Sequence, residues 1–223
     1  MKLHTIVSLV FGACVAASSI GNPVSSSETG STTSPKVGLA RLSAGNQRFV
    51  AGTMQHPGQT AQRRSELAQG QHPFAVVLTC ADSRVCPEII FDQGMGDLFV
   101  IRIAGNVTDD HVLGSIEYAV EHLHVPLVIV LGHSQCGAVA AAASGGKAPG
   151  HIQSLIESLA PAVAEAQKQK GDVTAEAVRI NAQRVAAALA HSEPIIADLV
   201  KARKVTIRSA CYDLASGAVN FIP

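Results

Sequence analysis

The stretch PFAVVLTCADSRVC, residues 73–86, decides how the rest of the chain is read. Phe74, Ala75, Val76, Val77 and Leu78 form an unbroken apolar run, short for a helix and rich in β-branched residues. Such a run suits a strand buried on both faces, as in a parallel sheet. Directly after it stand Cys80, Asp82 and Arg84, so a thiol, a carboxylate and a guanidinium gather where open α/β sheets build their sites, at a strand's carboxyl end. The pattern returns in PLVIVLGHSQCG, residues 126–137, where the apolar run Leu127 to Leu131 leads into His133 and Cys136. The two strand ends are read as one site.

Outward from these strands, apolar runs at Leu98 to Ile103 and Val205 to Ala210 predict further strands. Ala218 to Ile222 predicts an edge strand after the Ser216-Gly217 turn. Between them the spacing predicts short helices at Ala61 to Gln69 and Pro87 to Phe91, and a helix from His111 to His124 capped by Asp109 or Asp110. More helices are predicted at Gly137 to Ser144, His151 to Lys170, Val173 to His191 and Pro194 to Arg203. This alternation argues an α/β fold, with a mostly parallel four-stranded sheet, an antiparallel edge strand and flanking helices. Leu39 to Val50 predicts an N-terminal helical arm, interrupted by Gly45, that packs on its own domain or on a partner subunit.

The 223 residues suit one domain, taken as 37–223. Lysine plus arginine and aspartate plus glutamate balance at 17 each, and no run of five basic residues occurs, which leaves no electrostatic footprint for nucleic acid. A small-molecule partner is expected instead. The chain has no tryptophan, so its core must come from Val, Ile, Leu and Ala. Lys2 followed by the uncharged run Thr5 to Ala17 is too short for a membrane span, which needs ~20 apolar residues. It reads as a signal peptide over residues 1–21, cut between Ala17 and Gly21, and implies a periplasmic or secreted protein. Two alternatives stay open: a lipoprotein-type cut at Cys14, and a cytoplasmic protein with an apolar amino terminus. Residues 22–36, rich in Ser, Thr, Gly and Pro, read as a disordered linker.

Cys80, His133 and Cys136 supply the three protein ligands that a catalytic zinc site offers, with a fourth position left for water. Singly each is weak, because a lone apolar-flanked cysteine is more often a small core residue. Soft ligands at the ends of two buried strands, with an acid and a base beside one of them, form a stronger joint pattern. Asp82 is near enough to Cys80 to ligate the metal or to hydrogen-bond a water held there. Arg84 could keep that carboxylate ionised in a bidentate pair; the plain alternative is a surface ion pair. For Cys86 and Cys211, buried free thiols are expected, with a disulfide as the alternative.

CADSR at 80–84 and GHSQCG at 132–137 resemble the two signature motifs of the β-class carbonic anhydrases. The likeness continues through FDQGMGDLFVIR (91–102), AGN (104–106), IEYAV (116–120) and YDLASG (212–217). The resemblance implies zinc-dependent reversible hydration of carbon dioxide to bicarbonate. One Zn2+ per subunit would be held by Cys80, His133 and Cys136, with Asp82 and Arg84 as the catalytic dyad and Asp82 joining the metal only in a closed state. It also places Gln71, Phe99 and Tyr118 in the substrate pocket, as in the plant-like branch, and makes His122 the proton relay. Another branch of the family closes its site through a bicarbonate bound between a Trp, an Arg and a Tyr. Arg102 fits that Arg, but Val77 stands where the Trp would be, so no such switch is expected. A homodimer or homotetramer is implied, with Gln71 and Tyr118 reaching across the interface. Carbon disulfide or carbonyl sulfide hydrolysis on the same fold, and a non-catalytic zinc or thiol-redox module, are the competing readings.

Overall fold

In the computed structural model, which describes residues 33–222, five strands form a single sheet in the order β2-β1-β3-β4-β5. They are β1 (Ala75–Thr79), β2 (Leu98–Arg102), β3 (Leu127–His133), β4 (Thr206–Tyr212) and β5 (Val219–Ile222). β1 to β4 run parallel and β5 pairs antiparallel with β4. The expected parallel sheet with an antiparallel edge is therefore present. The strand spacing and apolar runs dictate it: β1 and β3 are buried at every residue, as central strands covered on both faces must be.

Among the described residues eight helices flank the sheet: α1 (Pro35–Ala51), α2 (Ala61–Leu67), α3 (Pro87–Ile90), α4 (Asp110–Glu121), α5 (Gly137–Ala143), α6 (Ile152–Ala166), α7 (Val173–Ala190) and α8 (Ile195–Lys201). Side chains alternate between the sheet's two faces. Val76, Leu78, Val128 and Val130 pack with residues of α4, α7 and α8, whereas Ala75, Val77, Ile129 and Leu131 pack with Leu42 of α1 and Ile90 of α3. A third cluster, built from α5, α6 and α7, takes in Cys80 and Cys136 at the carboxyl end of the sheet.

The helical arm differs from its sequence reading in two ways. Ser34 caps it and Pro35 opens it, so the last residues assigned to the linker belong to the helix. Gly45 does not interrupt it either, because α1 runs through to a left-handed cap at Gly52. A β-carbon at Gly45 would lie 1.7 Å from the Phe91 carbonyl oxygen, so glycine is there to let α1 seat on the end of α3. Next to it, buried Asn46 donates to the carbonyls of Ile90 and Gly217 and accepts from the Val219 N–H, tying α1 to the edge strand. The arm thus packs on its own domain. The expected signal peptide and most of the expected linker lie outside the described residues.

Candidate metal centre

β1 and β3 are direct neighbours, with Thr79 opposite Leu131, so Cys80 just past β1 comes level with the last residues of β3. That register brings the Cys80 and Cys136 sulfurs and a His133 ring nitrogen within 4.8 Å of one another, all three residues being buried. The sulfurs are 4.0 Å apart. Two sulfurs each ~2.3 Å from a tetrahedral zinc stand ~3.8 Å apart, so the spacing suits one metal between them.

His133 gives a second sign. Its Nδ1 lies 2.9 Å from the Ser134 carbonyl oxygen and donates to it, which leaves Nε2 with its lone pair free. Nε2 is buried without a hydrogen-bond partner. Gln93 Oε1 and Asn106 Nδ2 are orphaned as well, but only the histidine atom stands beside two thiols. A soft cation is what such a donor set fits.

The electrostatics agree. The hydrogen bond from Cys136 pulls the Cys80 thiol well below its ordinary range, with help from His133 and the Gly105 N–H against the effect of burial. The same bond, together with burial, pushes Cys136 up. Burial opposes a charged His133, but the Cys80 sulfur, the Ser134 carbonyl and Asp82 outweigh it and raise its pKa. A cation between the sulfurs would take over the work of the single shared proton.

Asp82 sits at the rim, with Oδ2 3.9 Å from His133 Nε2 and outside the three-atom group. Arg84 grips it three times: its backbone N–H and Nε donate to Oδ1 at 3.0 and 2.9 Å, and Nη2 donates to Oδ2 at 2.7 Å. Those bonds from Arg84 are the chief reason the carboxyl is held far below the usual carboxylate range. Arg102 fixes the turn itself, donating to the carbonyl of Asp82 at 2.6 Å and to that of Cys80 at 3.4 Å.

The remaining predicted residues form a separate group. Phe99 of β2, Tyr118 of α4 and His122 just past α4 make a row of rings, with centroids 6.4 and 5.4 Å apart. Phe99 packs with the sheet–α4 cluster, whereas the two thiols belong to the α5–α6–α7 cluster. Tyr118 and His122 are exposed, and so is Gln71, which stands in the segment before β1. Cys86 and Cys211 are free thiols, half-buried rather than fully buried.

The sequence reading assigned no role to three residues around the cluster. Ser134 holds the His133 acceptor in place: its N–H donates to the Tyr212 carbonyl and its hydroxyl accepts from the Leu214 N–H. Gly105 donates its N–H to the Cys80 sulfur, and Asn181 donates to the Gly105 carbonyl. Gly105 and Ser134 lay inside the quoted motifs AGN and GHSQCG, which was the only signal for them. Nothing local marked Asn181, whose partner is 76 positions away.

A mostly parallel sheet carries, at adjacent strand ends, a Cys-His-Cys group that could hold a metal ion and an Asp–Arg pair, the layout of an enzyme site. The comparisons with known proteins narrow it. A family model described as carbonic anhydrase matches residues 75–219. The chain is 43% identical over 190 residues to a carbonic anhydrase of Mycolicibacterium smegmatis, covering 83% of this chain and 92% of that one. It is 55% identical over 135 residues to carbonic anhydrase 2 of Mycobacterium tuberculosis, a match that spans 59% of this chain and 65% of that relative's length. A tetrameric β-carbonic anhydrase of Sordaria macrospora superposes with a TM-score of 0.67 at 26% identity, covering 82% of this chain and 95% of that one. The chain belongs to the β-carbonic anhydrase family.

Proposed function

We propose that this protein hydrates carbon dioxide reversibly to bicarbonate and a proton, using one zinc per subunit held by Cys80, His133 and Cys136. The observation that carries the reading is the orphaned, buried His133 Nε2 facing two sulfurs 4.0 Å apart, with the Asp82 carboxylate at the rim. Zinc bound there would supply Lewis acidity and lower the pKa of a water toward neutrality.

The chain's own groups do the rest. Arg84 keeps Asp82 anionic and turned to the rim, where Oδ2 can accept a hydrogen bond from that water and orient it toward substrate. With Asp82 committed to Arg84 the site is open, and the absence of tryptophan supports an open site at all bicarbonate levels. Phe99 and Tyr118, which stand apart from the thiols within one chain, would offer an apolar aromatic surface for carbon dioxide at a subunit interface. The imidazole of His122, exposed beside the Tyr118 ring, would pass the proton to solvent. Gln71 and Tyr118 would complete the pocket across a subunit interface, in a dimer or tetramer. The tetrameric Sordaria macrospora relative supports such an assembly. Among the described residues no helix is long and apolar enough to cross a membrane. The apolar leader of the sequence supports export to the periplasm or secretion.

The test is carbon dioxide hydration by the purified protein with zinc quantified alongside and the assembly sized in the same preparation. Wild type should hydrate carbon dioxide with one zinc per chain as a dimer or larger, and Cys80→Ala and Cys136→Ala should lose both metal and rate. Zinc-loaded protein that cleaves carbonyl sulfide or carbon disulfide but leaves carbon dioxide untouched would overturn the reaction. A fully active monomer would overturn the assembly, and a mature chain retaining residues 1–17 would overturn cleavage of the leader.

A further inference from the structure

Between β2 and α4 the chain crosses over the sheet's carboxyl end in a single turn of 3-10 helix, Ala104–Asn106. Gly105 at its centre has left-handed angles, φ 68° and ψ 14°, and a β-carbon there would come within 2.9 Å of Leu159. Glycine therefore serves both the turn's shape and its close approach to α6. The residue's two polar groups point to different neighbours. Its N–H donates to the Cys80 sulfur at 3.3 Å, and its carbonyl accepts from Asn181 Nδ2 at 2.9 Å.

Asn181 is only 4% exposed and sits on α7, between Ile180 and Ala182, both buried. α7 packs along β3 and β4, so the amide is carried by a long helix fixed to the same sheet that carries the thiols. Glycine's backbone torsions are the softest in the chain, and without an anchor Gly105 could rotate its N–H away from the sulfur. A thiolate that accepts a hydrogen bond gives less of its charge to a metal, and such outer partners tune a site much as the ligands themselves do. We propose that Asn181, acting through Gly105, is a positioning residue that holds this N–H on the Cys80 sulfur and so limits the charge the sulfur donates to the metal.

The inference rests on the zinc reading above, and the experiment separates the two. Cobalt(II) replaces zinc in wild type, in Asn181→Leu, which keeps the volume and removes the donor, and in Leu189→Ala. The last removes a fully buried side chain from the same helix, in the sheet–α4–α8 cluster away from the thiols. In Asn181→Leu the thiolate-to-cobalt absorption should move to longer wavelength. The zinc enzyme should lose rate about tenfold on the acid side of its pH profile while keeping its alkaline plateau. Leu189→Ala should destabilise the fold and leave both unchanged. Absorption and profile unmoved in Asn181→Leu, or moved as far in Leu189→Ala, would overturn the proposal.

Should Asn181→Leu fail to fold, wild type answers alone. With cadmium-113 in the site, the Gly105 amide proton should show scalar coupling to the metal through the N–H···S bond. A bound cadmium without that coupling refutes the brace. Failure of wild type to bind zinc, cobalt or cadmium at these three residues would instead overturn the metal reading, and this proposal with it.

Discussion

Asp82 and Asp92 stand ten positions apart, each gripped by an arginine, but their oxygens are spent differently. At Asp92, Oδ1 accepts from the N–H groups of Gln55 and His56, and Oδ2 accepts from Arg48 Nε and again from the Gln55 N–H. A carboxylate has about four acceptor positions, and here three N–H groups cover them on both oxygens, the Gln55 N–H being shared between the two. The Asp92 side chain is fully buried, and it holds the connector after α1 against the end of α3. Asp82 accepts three bonds, all from Arg84, which leaves one position on Oδ2 on the side of His133 Nε2. The pair's residues are two apart, so closing it restrains almost no chain. A saturated carboxylate stitches the fold, while one with an acceptor to spare beside the Cys-His-Cys cluster is free to meet something from outside.

The largest test of that contrast is Asp82→Asn. It removes the charge and the spare acceptor while keeping the shape, so hydration should fall by ~10²–10⁴, the usual worth of a positioned acid–base group. Zinc content and the urea midpoint should stay near wild type. Retention of full rate would break the contrast at its functional end.

Asp92→Asn is the mirror experiment. Asp92 has φ of 46°, a left-handed value that asparagine tolerates, so the exchange alters the charge without straining the backbone. Its Nδ2 cannot accept from Arg48 or Gln55, and the guanidinium is left facing a donor. Stability should drop by about 2–4 kcal/mol in urea denaturation, with rate per bound zinc unchanged. A loss of rate at unchanged stability would reverse the roles given to the two aspartates.

The same contrast explains what the sequence could and could not reveal. Cys80, His133 and Cys136 were legible because each stands within five residues of a buried apolar run, and soft ligands at two such strand ends beside an acid and a base form a joint pattern that none of them makes singly. Strands β1 and β3 were legible because burial on both faces leaves an unbroken apolar run. Asp92, Asn46 and Asn181 were silent as to role, since their partners lie 36 to 173 positions away and only the folded chain brings them together. Gly45 was misread for a related reason. Glycine within a helical pattern ordinarily signals weakness, and only the Phe91 carbonyl reveals that the space was needed. The row of rings from Phe99 to His122 was named by family likeness, and nothing in its spacing shows what it faces.

The finest test lies in pH. Burial alone would raise the Asp92 carboxyl, but the Gln55 and His56 N–H groups and Arg48 more than offset it, and its folded pKa lies below the ordinary value. A depressed folded pKa means that the unfolded chain takes up the proton first as pH falls. The stability that ionised Asp92 contributes is therefore fully present above the unfolded value, near ~3.9, and is lost as pH drops through the folded one. Wild type and Asp92→Asn should differ by a constant amount in urea denaturation from about pH 5 to pH 8, and the gap should narrow only below about pH 4. A gap that already closes between pH 5 and 7 would mean that the Asp92 carboxyl titrates near neutrality. The three N–H donors would then fail to hold it ionised, and its saturation would no longer distinguish it from Asp82.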